Sequence, residues 1–235
     1  MKTTITTFKE RASYPQHAVV MIFDLEGFSK FFSQPDVQDY VTKYLNIVFS
    51  AVETITKGGE AYWMPKSVKN NNLSVLPSPI HSKFLGDGGL YIWNYNDFTS
   101  DQLISFVNRL YNLRLNFEKI LEKAVEEVPV IDIPKNIRFG VSAGSVLKLN
   151  GINNNREEFI GYSINLAARL QSYCREIGFI VSGRLNIKTT NLEKHQYVKQ
   201  IAIAIKGFPQ EIVIIDKDDL DLLDDDTKNS LFVSV

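Results

Sequence analysis

The chain has 235 residues, enough for one large domain or two small ones with a substantial core. Its composition, 44% hydrophobic and 23% charged, is ordinary for a globular protein, and a net charge of -1 gives no electrostatic reason to expect nucleic acid or a membrane as partner. The single cysteine, Cys174, excludes an intramolecular disulfide. No signal-peptide core and no stretch of membrane-spanning length is present, so the sequence predicts a cytoplasmic single-domain protein without a fused sensor or anchor.

The first predicted elements are a buried strand and two helices. HAVVMIFDL, residues 17–25, is a short apolar run ending at an acid, as expected of a buried strand, and EGFSKFF starts a helix directly after it. An amphipathic helix begins near Val37, with apolar residues three and four apart, and Gly58 and Gly59 end it. Residues 60–82 contain three consecutive asparagines and two prolines and are predicted to be a long loop or extended insert.

A hairpin and a helix are predicted next. KFLGDGGLYIW places Asp87 between glycines at a tight turn, with apolar runs on both sides. One long helix follows, because Thr99 and Gln102 form a capping box and an apolar stripe runs from Leu103 to Leu121.

The second half alternates strands with one helix. IRFGVSAG is a predicted strand, LKLNGINNNREE a polar turn, and INLAARLQSYCREIG a helix closed by Gly178; FIVSG, QIAIAIKG and EIVIID are three further strands. The acidic end, DKDDLDLLDDDTKNS, is predicted to be a solvated tail. We therefore expect an α+β domain of ferredoxin-like type, a mixed sheet with helices on one face, over residues 18–215, between an N-terminal extension (1–17) and an acidic C-terminal tail (216–235).

Two acids are placed to form a metal site. Asp24 ends the first strand and Asp87 lies at the tip of the hairpin, and in a mixed sheet these two elements are expected to be neighbours. Two carboxylates on rigid backbone suit Mg²⁺ or Mn²⁺ holding a substrate phosphate. Gly27, Phe28 and Ser29 follow at a helix start, whose backbone N–H groups can bind an anion.

A second group of polar residues lies further along the chain. Asn165 and Arg169 are four residues apart and share one helical face, where together they can stabilise charge on phosphorus and position a sugar oxygen. Lys206 ends the strand IAIAIK, at a transition from strand to turn, and Lys83 and Glu158 lie beside these elements. Taken singly, each has an ordinary explanation as a turn, a helix cap or a solvated side chain. The order and spacing of the whole set favour a functional site.

This order resembles that of the class III nucleotidyl cyclases, the family of adenylyl and guanylyl cyclase catalytic domains. FDLEGFSKF is similar to the family's first metal segment, KFLGDGG to its Lys-x-x-Gly-Asp hairpin, and RFGVSAG to its Arg-x-Gly strand. EFIGYSINLAARL is similar to its base-reading acid and Asn-x-x-x-Arg helix, and IKGF to its C-terminal Lys-Gly. The resemblance covers residues 18–215, and motifs in this order are far more specific than any one of them alone.

The resemblance implies a role for each candidate residue. It implies that Asp24, Asp87 and the Leu25 carbonyl bind two divalent ions, and that Gly27, Phe28 and Ser29 bind the β- and γ-phosphates. It implies that Asn165 orients the ribose, that Arg169 stabilises the charge on the α-phosphate and that Lys206 binds the triphosphate. Lys83 and Glu158 are the residues that it assigns to the base. It also implies a homodimer of two head-to-tail protomers, in which one supplies the metal acids and the other supplies the remaining side chains. The ribose 3′-hydroxyl then attacks the α-phosphorus and pyrophosphate leaves.

The identity of the base is less well determined by the sequence. Lys83 can only donate and ionised Glu158 can only accept, so the pair permits adenine, cytosine or uracil. Glu158 is one methylene longer than the aspartate usual in adenylyl cyclases, which favours a smaller base. The wording FDLEGFSKFF and the PKS ahead of KFLGDGG resemble the stand-alone pyrimidine cyclases of the bacterial antiphage system called Pycsar, which make cUMP or cCMP for a separate effector.

Three functions follow from these residues. The favoured one is a pyrimidine cyclase that converts UTP, or next CTP, to the 3′,5′-cyclic monophosphate. An adenylate cyclase of the same fold is the second, since Lys83 permits ATP. The third, of another class, is a cyclase-like domain that binds nucleotide without turnover, which the presence of the whole residue set disfavours.

Overall fold

A computed structural model describes residues 8–9, 14–60, 63, 72–73, 75–129, 132–151, 157–192 and 196–235. Within these ranges the strands are β1 (Gln16–Glu26), β2 (Gly59–Glu60), β3 (Asn72–Leu73), β4 (His81–Phe84), β5 (Gly88–Asn94), β6 (Asn136–Asn150), β7 (Glu157–Ile160), β8 (Phe179–Ser182), β9 (Tyr197–Ala202), β10 (Glu211–Asp216) and β11 (Phe232–Ser234). The α-helices are α1 (Phe28–Phe32), α2 (Val41–Lys57), α3 (Ser100–Leu115), α4 (Phe117–Glu127), α5 (Tyr162–Gln171), α6 (Lys217–Asp221) and α7 (Asp225–Leu231).

One mixed sheet dominates the fold. Its strand order is β11-β9-β10-β8-β6-β1-β5-β4, with β7 paired to the far end of β6, while β2 and β3 form a separate two-stranded pair. The β6–β8 pair is parallel and its neighbours are antiparallel. The sequence prediction of an α+β domain with a mixed sheet is therefore confirmed.

Helices cover both faces of the sheet, which corrects the expectation that they lie on one. Met21 of β1 belongs to a large core shared with α2, α3 and α4, whereas its neighbour Ile22 belongs to a smaller core beneath α5. Because successive side chains of a strand point to opposite faces, a run that is apolar at every position must be covered on both. The glycine at 140 lets α5 approach closely, since a Cβ there would lie 2.0 Å from the Ala167 carbonyl oxygen.

The predicted long helix is divided into two. Thr99 and Gln102 form the expected capping box, but α3 ends before Asn116 and α4 begins after it. The Asn116 side chain donates to the Asn112 carbonyl at 2.8 Å, and this local bond competes with the helical ladder. The apolar stripe predicted from Leu103 to Leu121 is buried in spite of the break. Its periodicity is therefore confirmed, whereas the prediction of one continuous helix is wrong.

Three other boundaries differ from the sequence prediction. LKLN continues β6 and pairs with β7, so the predicted polar turn is shorter and its centre, 152–156, lies outside the described residues. The helix expected to reach Gly178 ends at Gln171, and the hydroxyl of the next residue, Ser172, donates a hydrogen bond to the Ala168 carbonyl. β9 stops at Ala202, which leaves Lys206 in the turn that follows.

The acidic C-terminus is folded, contrary to the predicted solvated tail. Leu220, Leu223 and Phe232 are buried in a core with α5, and β11 pairs with β9. The acids contribute to the folding of this segment: Asp216 accepts from the first N–H groups of α6, and Asp219 forms an ion pair with Arg114 at 2.8 Å. The apolar residues within the run outweigh its charge, because the acids face helix N-termini and a guanidinium.

The two remaining segments are described only in part. Of the N-terminal extension, Phe8 forms a bridge to Gly151, and β1 begins at Gln16. Most of the predicted 60–82 insert, including PKS, lies outside the described residues; at its end β4 begins at His81, and the Trp93 indole N–H donates to the Pro77 carbonyl at 3.0 Å. In the described ranges, no helix combines the length and the apolar character needed to cross a bilayer.

Candidate active site

The register of β1 and β5 brings Asp24 and Asp87 together. Asp24 pairs with Gly88, and the Leu25 N–H donates to the Asp87 carbonyl at 2.9 Å. A Cβ on Gly88 would lie 1.9 Å from the Phe23 carbonyl oxygen, so only glycine allows the hairpin to approach β1 this closely. Gly86 has φ +102°, a conformation that glycine adopts without strain. The glycines around Asp87 therefore place it beside Asp24.

The two carboxyl groups interact electrostatically. Burial, followed by the negative charge of Asp24, raises the pKa of the Asp87 carboxyl above its usual value. Both side chains are half-buried, which leaves an approach from solvent. A divalent cation would relieve the repulsion between the two acids, so the donor set fits Mg²⁺ or Mn²⁺. Within the described ranges, no cluster of three or more His, Cys, Asp or Glu that could hold a metal ion occurs.

Two further residues hold Asp24, and the sequence did not assign them to the site. The Arg138 guanidinium forms a hydrogen-bonded ion pair with Asp24 Oδ2, and Gln171 Nε2 donates to the same oxygen at 3.2 Å. Arg138 was visible as part of the RFGVSAG motif, and it faces Asp24 because the two residues pair in the β1–β6 register. Gln171 reaches Asp24 from the last turn of α5 and carried no sequence signal.

The turn after β1 has the geometry expected from the sequence. Gly27 has φ +85° and precedes α1, a helix of five residues. Phe28 packs on the core, whereas Ser29 is exposed. The backbone N–H groups of this first turn lie directly after Asp24 and Leu25 in the chain, so an anion at this turn would be next to the acids.

α5 presents Asn165 and Arg169 to solvent. Leu166 and Leu170, each one residue further along the helix, are fully buried, so the helix is fixed by its apolar stripe. The helix runs along the sheet with its last residue, Gln171, at Asp24, and the rise of about 1.5 Å per residue puts Asn165 about 9 Å further from that point. Both polar side chains are thus displayed on the face of the sheet that carries the two acids.

Lys83 and Glu158 form an ion pair. Lys83 Nζ lies 2.7 Å from Glu158 Oε2, although the residues belong to strands β4 and β7, which are not neighbours in the sheet. Lys83 pairs with Leu90, whose side chain belongs to the core beneath α5, so the ion pair lies on that same face. The structure thus brings together the two residues that the family resemblance assigns to the base.

Lys206 is exposed in the turn between β9 and β10, and this turn packs against the first residue of α5. Phe208 packs edge-on against Tyr162 with ring centroids 4.9 Å apart, and the Arg184 guanidinium lies 4.8 Å from the Tyr162 ring centroid. Arg184 in turn donates two hydrogen bonds, of 2.8 and 3.0 Å, to the buried carboxylate of Glu211. This network links the Lys206 turn to the first turn of the helix that carries Asn165.

No family model and no curated protein matches the sequence, but solved structures share its fold. The guanylyl cyclase Cya2 is 18% identical with a TM-score of 0.61, over 88% of this chain and 93% of that one. The adenylyl cyclase CyaB from P. aeruginosa is 19% identical with a TM-score of 0.60, over 87% and 95%. The guanylate cyclase domain of RhGC from Catenaria anguillulae, solved in complex with GTP, is 16% identical with a TM-score of 0.52, over 86% and 98%. The chain therefore has the fold of a cyclase catalytic domain.

Proposed function

We propose that the protein is a nucleotidyl cyclase, which converts a nucleoside triphosphate to its 3′,5′-cyclic monophosphate and pyrophosphate. The observation that carries this proposal is the adjacency of Asp24 and Asp87 at the β1–β5 junction, within a cyclase fold. Burial and the negative charge of Asp24 raise the pKa of the Asp87 carboxyl, and a cation-dependent reaction gives a reason for placing the two acids side by side.

Each candidate residue has a task in this reaction. Asp24, Asp87 and the Leu25 carbonyl would hold two Mn²⁺ or Mg²⁺ ions, and this charge would lower the pKa of the ribose 3′-hydroxyl and neutralise the triphosphate. The first turn of α1, from Gly27 through Phe28 to Ser29, holds the β- and γ-phosphates by its N–H groups. Asn165 orients the ribose, Arg169 stabilises the charge on the α-phosphate, and Lys206 binds the triphosphate.

The bond changes are balanced without a covalent enzyme intermediate. The 3′-oxygen forms a bond to the α-phosphorus, the bond from the α-phosphorus to the bridging oxygen breaks, and pyrophosphate leaves. The proton of the 3′-hydroxyl passes to solvent.

The complete site requires two copies of the chain. Asp24 and Asp87 of one protomer face Asn165, Arg169 and Lys206 of the partner, together with its base-reading pair, across a head-to-tail homodimer with two equivalent sites. The exposure of Asn165 and Arg169 on α5 supports this arrangement, because both side chains are available to a second protomer.

The substrate is a pyrimidine nucleotide, with UTP favoured over CTP, and Lys83 and Glu158 read its base. The ion pair between them supports this role, since it supplies a donor and an acceptor next to each other on the face that carries α5. The product acts as a signal in antiphage defence, through a separate effector that senses cyclic nucleotide.

The experiment that tests the proposal incubates the protein with Mn²⁺ and ATP, GTP, CTP or UTP separately and measures cyclic nucleotide and pyrophosphate. Cyclic UMP is expected as the main product. Asp87→Ala should abolish turnover, whereas Glu122→Ala, on the exposed side of α4, should not change it. A main product of cAMP would make the protein an adenylate cyclase, and bound nucleotide without product from any of the four would make it a non-catalytic cyclase-like domain.

A further inference from the structure

His81 carries a buried polar atom that the roles assigned above do not use. Its Nε2 is buried and has no hydrogen-bonding partner among the described residues. A buried nitrogen in this state is costly, and such groups in a folded protein call for an explanation in terms of a ligand or a function. His81 begins β4, two residues before Lys83.

The surroundings of His81 are those of the base-reading pair. Residues two apart on a strand share a face and lie about 7 Å apart, so His81 and Lys83 point the same way. The imidazole packs on Phe159, with ring centroids 4.9 Å apart, and Phe159 directly follows Glu158. The charged groups that act on the imidazole are Glu158, Lys83 and Glu157. Burial lowers the pKa of His81, so the ring is neutral near pH 7 and one of its nitrogens carries a proton.

We propose that His81 is a third base-reading residue and selects a pyrimidine. The inference rests on the proposed function. The base enters between Lys83 and Glu158 and replaces their ion pair; this displacement uncovers the buried Nε2 of His81, and the Watson–Crick edge of the base then supplies the partner that Nε2 lacks. The paired rings of His81 and Phe159 form an apolar wall against the base.

The hydrogen-bonding pattern favours uracil. The proposal places the imidazole proton on Nε2, so that His81 and Lys83 supply two donors and Glu158 supplies one acceptor. Uracil presents a carbonyl, an N–H and a second carbonyl, which is the complement when the acceptor lies between the donors. Cytosine also needs two donors and one acceptor, but with the acceptor at one end. Adenine presents one acceptor and one donor followed by a C–H, so a third protein donor is left unpaired, and that loss discriminates against ATP.

The test compares two substitutions of His81. His81→Phe keeps a ring against Phe159 and removes Nε2, whereas His81→Gln keeps a polar group at the same reach. The kcat and KM of each variant are measured with UTP, CTP and ATP in Mn²⁺, together with the Tm. In His81→Phe we expect the KM for the preferred pyrimidine triphosphate to rise about tenfold, with ATP little affected, because one hydrogen bond to the base is lost. His81→Gln should recover most of the pyrimidine-to-ATP ratio of kcat/KM.

An unchanged ratio in a His81→Phe protein with a normal Tm would overturn the inference. If that variant does not fold, His81→Leu replaces it with the same criterion. This outcome can be told apart from failure of the proposed function. Wild-type protein that makes no cyclic nucleotide would refute the proposed cyclase activity. Equilibrium binding of UTP and ATP to wild type and variants would still measure the role of His81 in base selection. Equal loss of pyrimidine and ATP binding in both substitutions would make His81 a structural residue.

Discussion

At the scale of single residues, the candidate site consists of charged and polar side chains that interact directly with one another. Burial and the negative charge of Asp24 raise the pKa of the Asp87 carboxyl, while Asp24 itself accepts hydrogen bonds from Arg138 and Gln171. This arrangement fixes the direction of the Asp24 carboxylate, and at the proposed metal site proton binding at Asp87 would compete with metal binding. The pH at which the competition appears follows from the raised pKa of Asp87.

The first prediction concerns this competition. Because the charge of Asp24 helps to raise the pKa of Asp87, Asp24→Asn should lower that pKa toward its usual value in metal-free protein. In wild type, metal binding needs the deprotonated acid, so Mn²⁺ affinity should fall on acidification as the pH drops through the raised pKa of Asp87, above the range of an ordinary aspartate. Carboxyl NMR titration gives the pKa, and electron paramagnetic resonance gives free Mn²⁺. Glu122→Gln is the control, and an Asp87 titration unchanged in Asp24→Asn would contradict the prediction.

The second prediction concerns Gly88. A methyl group there would meet the Phe23 carbonyl oxygen, so Gly88→Ala must push β5 away from β1. We expect a loss of about 1–3 kcal/mol in the free energy of unfolding, measured by urea denaturation, as for an overpacked core. The Mn²⁺ affinity of the folded protein should fall as well, because the two acids separate. Gly27→Ala, where the Cβ has open space and the cost is the positive φ alone, is the comparison; wild-type metal affinity in Gly88→Ala would show that the close approach is not needed.

At the scale of elements, the site depends on how turns and helices are fastened to one another. The β9–β10 turn reaches α5 through Phe208 and Tyr162, and Arg184 joins both to the buried Glu211. Ser182 also donates to Glu211 at 2.8 Å, so both oxygens of the buried carboxylate accept hydrogen bonds. The network is therefore the structural reason why a lysine in a turn can have a fixed position relative to Asn165.

The third prediction tests this network. Arg184→Met leaves the Glu211 carboxylate buried with one side-chain donor, Ser182, and should cost about 1–3 kcal/mol in the free energy of unfolding. Arg184→Met combined with Glu211→Leu should recover part of that loss, because no charge then remains buried without a partner. Urea denaturation of both singles and the double measures the coupling. Additive losses in the double substitution would show that the two side chains act independently.

At the scale of the whole molecule, the proposed site is shared between two protomers. The fourth prediction follows from that sharing: Asp87→Ala and Arg169→Ala should each be inactive alone, since each removes one half of every site. Mixing the two should restore about a quarter of wild-type activity, because half of the randomly exchanged dimers are mixed and each has one intact site. Sedimentation should show a dimer with nucleotide present. Failure to complement, with dimers present, would place all catalytic residues within one protomer.

The sequence by itself determined the features that depend on neighbours along the chain. Local patterns predicted the capping box at Thr99, the burial of Leu166 and Leu170 on α5 and the glycine-flanked turn at Asp87. Caps, helical periodicity and turns each involve residues only a few positions apart. The alternation of strands and helices, with hairpins between adjacent strands, also indicated the mixed sheet, which the structure confirms.

Only the tertiary structure decided which distant residues meet. The ion pair of Lys83 with Glu158 joins residues 75 positions apart, and Arg138 and Gln171 reach Asp24 from 114 and 147 positions away. No local pattern carries such distances, since they are set by strand register and by the approach of α5 to the sheet. The acidic C-terminus folds for the same reason: its charge predicts solvation, but the groups that hold it, Arg114 and the core beside α5, are brought to it by the rest of the fold.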